Sequence, residues 1–153
     1  MKLGEKIFLT VPIIFVSALF LLGIFIPLDQ PRVFYNHLRA VKSIQALNIA
    51  EHAYAARHPE AGFACNLHDL SDADLIDRVL ASGTKAAYYF EIRCLLHGTG
   101  KATDYTITAL TVKAGMTGKY AFCTDQGGDI WYSESGSASN CLAMRKTVEE
   151  KYR

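Results

Sequence analysis

The sequence contains no G-x-S-x-G, H-E-x-x-H, Walker loop or G-x-G-x-x-G. It therefore lacks the short signatures of serine hydrolases, zinc peptidases, P-loop NTPases and dinucleotide-binding domains. Its four cysteines form no C-x-x-C, C-x-x-C-H or paired zinc-knuckle spacing, which leaves redox, haem and structural-zinc motifs unsupported. A charge imbalance is also missing. Setting aside Lys2, Lys6 and Glu5 leaves 14 basic and 14 acidic residues, so residues 29–153 are formally neutral. Neutrality argues against a nucleic-acid partner, and it gives no reason to expect a polybasic lipid-binding patch. No cofactor motif is present.

What the chain does have is a run of 22 residues, 7–28, without one charged side chain, and sixteen of them are Ile, Leu, Phe or Val. As a helix it would extend roughly 33 Å, the thickness of a bilayer's hydrocarbon core. A small soluble domain could hardly enclose so many apolar residues on all sides of one helix. A cleaved signal peptide is the other alternative, since Lys2 and Lys6 make a short basic leader. However, the run is longer than an ordinary signal core, and no A-x-A-like site follows it. The expectation is a single-pass anchor over residues 7–28, which makes the lipid bilayer the first partner. Residues 1–6 would be cytoplasmic, and residues 29–153 would form one domain beyond the membrane.

Basic residues flank the run almost evenly, so orientation rests on the cysteines. Cys65, Cys94, Cys123 and Cys141 all follow the run, an even number in one small domain, as expected for two disulfides in an oxidising compartment. Three pairings can be drawn, and Cys65–Cys94 with Cys123–Cys141 is preferred.

The domain reads as α+β. Residues 32–58 carry Val41, Ile44, Leu47 and Tyr54 at helical spacing, and Pro59 and Gly62 stop that helix. A short helix is expected over residues 72–81, with Ser71 and Asp74 as a capping-box-like start and Gly83 as its stop. Four β-rich segments then follow, 87–93, 104–109, 119–123 and 129–132, separated by glycine-bearing turns. Segments so closely joined predict a four-stranded antiparallel meander. After a Ser/Gly-rich loop, Cys141, Met144, Val148 and Tyr152 suggest a helical tail.

Local phrases carry a family likeness. They are Ala46-Leu47-Asn48-Ile49-Ala50-Glu51-His52-Ala53-Tyr54, then Gly62-Phe63, then the segment from Leu75 to Lys85, and finally the segment from Phe122 to Tyr132 with its Thr124-Asp125-Gln126 turn. Over roughly residues 40–132 the chain resembles bacterial type IV pilin-like proteins, including the pseudopilins of type II secretion. The resemblance implies an amphipathic helix packed on the sheet, and a non-enzymatic structural or interaction role in the cell envelope. Partners would be further copies of the chain or components of a pilus or secretion assembly, at the bacterial inner membrane with the C-terminal domain periplasmic or extracellular. The prepilin cleavage motif is absent. A cut after Gly4 would put Leu9 where such proteins carry glutamate, and Pro27 and Pro31 interrupt what would be one continuous helix. The expectation is accordingly a pilin-like external domain on a permanent anchor.

Tyr88, Tyr105, Trp131 and Tyr132, with Phe90, Tyr120 and Phe122, recur in the strands, and alternation would send about half of them outward. The first four are the candidates for an interaction surface, against the alternative of a half-buried sheet. The competing functional class is a ligand- or metal-binding sensory domain, or a small secreted domain after signal removal. Its candidate site is His58, Cys65 and His68, where two nitrogens and a sulfur would suit zinc. Asp69, Asp72, Asp74 and Asp77 lack the glycine and terminal glutamate of a calcium loop, and helix capping explains them better.

Overall fold

The computed structural model describes residues 30–97 and 100–149. The expected anchor at 7–28 lies outside the described residues. Among those described, no helix is long and apolar enough to cross a membrane. The domain is α+β, with an antiparallel sheet of six strands rather than four.

Helix α1 runs Gln30–Arg57. Pro31 falls in its first turn, where a missing N–H costs nothing. His37, Ala40, Ile44, Leu47 and Glu51 recur at intervals of three and four and are buried with Asn48, so one face of the helix supplies one wall of the core. Pro59 prevents continuation, and the chain turns through hydrogen bonds from the N–H groups of Ala61 and Gly62 to the His58 carbonyl.

The expected helix over 72–81 is two helices. α2 is Leu67–Asp72, capped by Asn66, whose side chain accepts the Asp69 N–H at 2.9 Å. α3 is Arg78–Ala81, capped by Asp77, which accepts the Leu80 N–H at 2.8 Å. Ser71 lies inside α2, and Asp74 takes a positive φ of 55° in the break between them. The capping acid is therefore Asp77, which opens α3 as an N-cap aspartate does. Gly83, at φ 78°, is the stop expected of it.

The strands are β1 Thr84–Lys85, β2 Tyr88–His97, β3 Lys101–Thr111, β4 Ala121–Asp125, β5 Trp131–Ser133 and β6 Lys146–Thr147. They pair antiparallel in chain order. Helix α4, Ala138–Met144, lies between β5 and β6. The helical tail thus ends early, at Arg145 in the left-handed conformation, and Met144 is exposed. Tyr152 lies outside the described residues.

Register explains the core. Phe90 faces Ala109, Ile92 faces Ile107, Ala109 faces Phe122, and Phe122 faces Tyr132. With Tyr88 and Tyr105 they join Ala40, Ile44 and Leu47 of α1 in one buried cluster. On the opposite face of the sheet, Cys123 and Trp131 form a second cluster with Cys141 of α4. The disulfides are Cys65–Cys94 and Cys123–Cys141, the preferred pairing.

Candidate functional site

The four aromatic interaction candidates do not form an outward row. Tyr88, Tyr105, Trp131 and Tyr132 are all buried, at 0%, 1%, 5% and 8% exposure. Alternation holds, but both faces of β4 and β5 are covered, one by α1 and the other by α4 and its disulfide. Tyr88, Tyr105 and Tyr132 belong to the main core, and Trp131 to the smaller cluster.

The His58, Cys65 and His68 set is not gathered either. The Cys65 sulfur is bonded to Cys94. His58 stacks on Tyr54 with ring centroids 4.2 Å apart, and exposed His68 pairs with Asp72 at 3.5 Å. Among the described residues no group of three His, Cys, Asp or Glu side chains could hold a metal ion.

Two other features stand out. The first is a polar thread through the core between α1 and the sheet. Asn48 accepts a hydrogen bond from the Tyr105 hydroxyl and donates to the Thr124 hydroxyl at 3.3 Å. Thr124 in turn donates to the Asp129 carbonyl at 2.7 Å. One turn along α1, fully buried Glu51 accepts the Ala64 N–H at 2.8 Å. Burial pushes its carboxyl up to about 7, the Ala64 bond opposes that, and the Asp69 charge adds to it. Burial also raises the Tyr105 phenol. Thr124-Asp125-Gln126 is thus the turn that α1 holds through Asn48. A buried carboxyl in this position pins the 58–66 loop.

The second feature is an open groove of about 420 Å³. Arg39, Lys42, Ser43 and Ala46 of α1 form one wall, Leu75, Ile76, Asp77 and Leu80 form another, and Lys85 and Ala86 close it. Lys85 and Asp77 pair at 2.7 Å. That bond, followed by the one from the Leu80 N–H, holds the Asp77 carboxyl below the usual carboxylate range. The side chains of Arg39 and Lys42 have no hydrogen-bonding or ion-pair partner among the described residues. The lining offers positive charge over apolar surface, not a nucleophile beside a base. Sequence reasoning missed this groove because its walls meet only in the fold. The signal available was a pair of cations three residues apart on an otherwise amphipathic helix.

Compared with known protein families, curated proteins and solved structures, the chain has no match.

Proposed function

We propose that this protein is a non-enzymatic interaction module of the bacterial cell envelope. In this reading residues 7–28 are a single-pass anchor in the inner membrane, and the domain that follows is periplasmic or extracellular and pilin-like. It associates with copies of itself or with components of a pilus or secretion assembly.

The observation that carries the reading is the outer face of α1. While one side of the helix builds the core, the other leaves Tyr35, Leu38 and Ile49 exposed at 61%, 38% and 71%. The steps of three and eleven residues between them keep these side chains near one stripe of the helix. An apolar stripe on a helix already anchored in its own domain suits packing against a second helix. The paired cysteines support an oxidising compartment.

The test uses the full-length protein in membranes. A photo-crosslinker at Ile49 should capture a second copy or an envelope protein, whereas one at exposed Glu91 on the sheet should not. The membrane fraction should resist alkaline extraction, keep the intact mass, and show no alkylation before reduction. Quantitative release into the aqueous phase, with all thiols reactive, would sink the reading.

A second reading, a ligand-binding external domain, is favoured by the groove at Arg39 and Lys42. It would take a small carboxylate or phosphate ligand with an apolar part, matched to Leu75 and Ile76. Calorimetric titration with octyl phosphate would separate the two readings. Binding that Arg39→Glu and Lys42→Glu abolish supports the second, and no heat from the wild-type protein removes it.

A further inference from the structure

The domain is neutral in total, but the fold separates its charges. Residues 30–50 hold Arg32, Arg39 and Lys42 and no Asp or Glu, and residues 105–124 hold Lys113 and Lys119 and again no acid. Residues 58–77 are the reverse, with Glu60, Asp69, Asp72, Asp74 and Asp77 and no Lys or Arg. The two basic segments meet. Asn36 donates to the Thr117 carbonyl at 2.8 Å, and the Lys119 N–H donates to the His37 ring at 3.2 Å. The loop between β3 and β4 is thereby fastened to the beginning of α1. Much of the acidic segment is held at the helix's other end, where Arg57 donates to the Ala73 carbonyl at 3.1 Å.

Exposed apolar side chains collect at the basic end. Phe34, Tyr35 and Leu38 are 48%, 61% and 38% exposed on α1, and Met116 in the fastened loop is 72% exposed. Arg32, Lys113 and Lys119 are exposed among them. Glu134, on the turn after β5, follows Ser133, which pairs with Ala121, and so borders this end of the sheet. Cations interleaved with aromatic and aliphatic side chains suit one kind of surface. Apolar groups enter the headgroup layer while Lys and Arg meet lipid phosphates. The uncharged run of residues 7–28 ends two residues before α1 begins, so this is the end of the domain that the chain reaches first on leaving that run.

We propose that Phe34, Tyr35, Leu38 and Met116, with Arg32, Lys113 and Lys119, form a surface that lies against an anionic phospholipid bilayer. The proposal rests on the anchored reading above and goes beyond it. The anchor would fix the domain to the membrane, and this surface would fix its orientation and its preference for acidic lipid. Interfacial contact would take the Tyr35 and Leu38 end of the outer stripe and leave its Ile49 end to a protein partner.

The test is lipid-contact fluorescence of the full-length protein in vesicles. Trp131 is the chain's single tryptophan and is buried, so wild type supplies the background. Met116→Trp and, separately, Tyr35→Trp are reconstituted in phosphatidylcholine containing about a quarter phosphatidylglycerol, with and without brominated acyl chains. The added emission should fall at least about twofold with brominated lipid. A Leu96→Trp control on β2, away from this end, should be unaffected. Lys113→Glu with Lys119→Glu, or vesicles of phosphatidylcholine alone, should restore most of the emission. Vesicle flotation run alongside separates the two readings. Protein that floats with the vesicles while neither tryptophan is quenched overturns the surface and leaves the anchor standing. Protein that fails to float overturns both. Equal quenching with and without phosphatidylglycerol overturns the anionic preference on which the surface is argued.

Discussion

Glu51 Oε2 accepts the Ala64 N–H at 2.8 Å, while its other oxygen, Oε1, is buried without a hydrogen-bond partner among the described residues. This one carboxyl holds the loop that also carries Cys65, and the Cys94 sulfur lies 3.2 Å from the Ala64 carbonyl. A loop with little regular structure is thus fixed to α1 by a side chain and to β2 by a covalent bond.

Stability should depend on pH through Glu51. Its carboxyl rises from 4.5 to about 7 on folding, mainly through burial, so the folded state favours the protonated form. The contribution is fully present below about 4.5, declines as pH rises, and is lost above about 7. The total change is on the order of 3 kcal/mol. Glu51→Gln resembles the protonated carboxyl, and its amide oxygen can still accept from Ala64. Urea denaturation across this window should show a falling midpoint for wild type and a flatter profile for the variant. Equal slopes would place the titration elsewhere.

The turn joining β1 to β2 offers a stabilising change. Lys85 pairs with Tyr88, leaving Ala86 and Ala87 as the two turn residues, with φ of 51° and 62°. Two left-handed residues make a type I′ turn, which matches strand twist but strains a side chain bearing Cβ. Ala86→Asn with Ala87→Gly should raise stability by about 1–2 kcal/mol. The denaturation midpoint measures this, and a loss of stability would show that the neighbouring groove wall depends on alanine.

The same turn shows what was legible in the sequence and why. Helix α1 and the β2 to β5 segments could be read, because periodicity and β-branched and aromatic content are local signals, whereas the cysteines announce two disulfides and leave three pairings to be drawn. The Ala86–Ala87 turn carries neither glycine nor asparagine, so no local signal marks Thr84–Lys85 as a strand ahead of β2. Ser71 and Asp74 imitated a capping box, while the cap that forms is Asp77. The aromatic candidates failed for a different reason. Tyr88, Tyr105 and Tyr132 fall on the side that α1 covers and Trp131 on the side to which α4 returns, and no property of these residues announces either cover. The groove and the charge separation are likewise properties of segments brought together only by folding.

Gly62 tests the contact between the loop and β3. It sits at φ 81° and bridges Ala102, and a Cβ added there would stand 2.0 Å from the Ala102 carbonyl oxygen. Gly62→Ala must shift the loop or break the bonds from Phe63 N–H to the Ala102 carbonyl and from Ala102 N–H to the Ala61 carbonyl. The expected loss is about 2–4 kcal/mol, with faster amide exchange at Phe63 and Ala102. Unchanged exchange at both amides would show that the contact is dispensable.

The two disulfides should contribute similarly to stability but fail differently. Sequence separations of 29 and 18 imply about 3–4 kcal/mol for each crosslink in the chain-entropy account. Replacing Cys65 and Cys94 together by alanine should expose the 58–66 loop to limited proteolysis, because Glu51 and the hydrogen bonds with Ala102 then hold it without a covalent tie. Replacing Cys123 and Cys141 should instead loosen α4 and unpack Trp131, leaving the loop resistant. Cleavage at the same site in both variants would argue against independent roles.

Arg145 lies over the Trp131 ring, 4.5 Å from its centroid, and pairs with Asp125 at 3.2 Å, yet it occupies φ 49°. Favourable side-chain contacts therefore oppose an unfavourable backbone conformation at one residue. Arg145→Ala keeps the strain and loses both contacts, so it should cost about 1–2 kcal/mol. Arg145→Gly loses the same contacts but relieves the backbone, and it should cost less. Both should shift Trp131 emission to the red as water reaches the indole. Ordering the two variants by denaturation midpoint separates the side chain's contribution from the backbone's. Emission unchanged in both would mean that the guanidinium does not shield the ring.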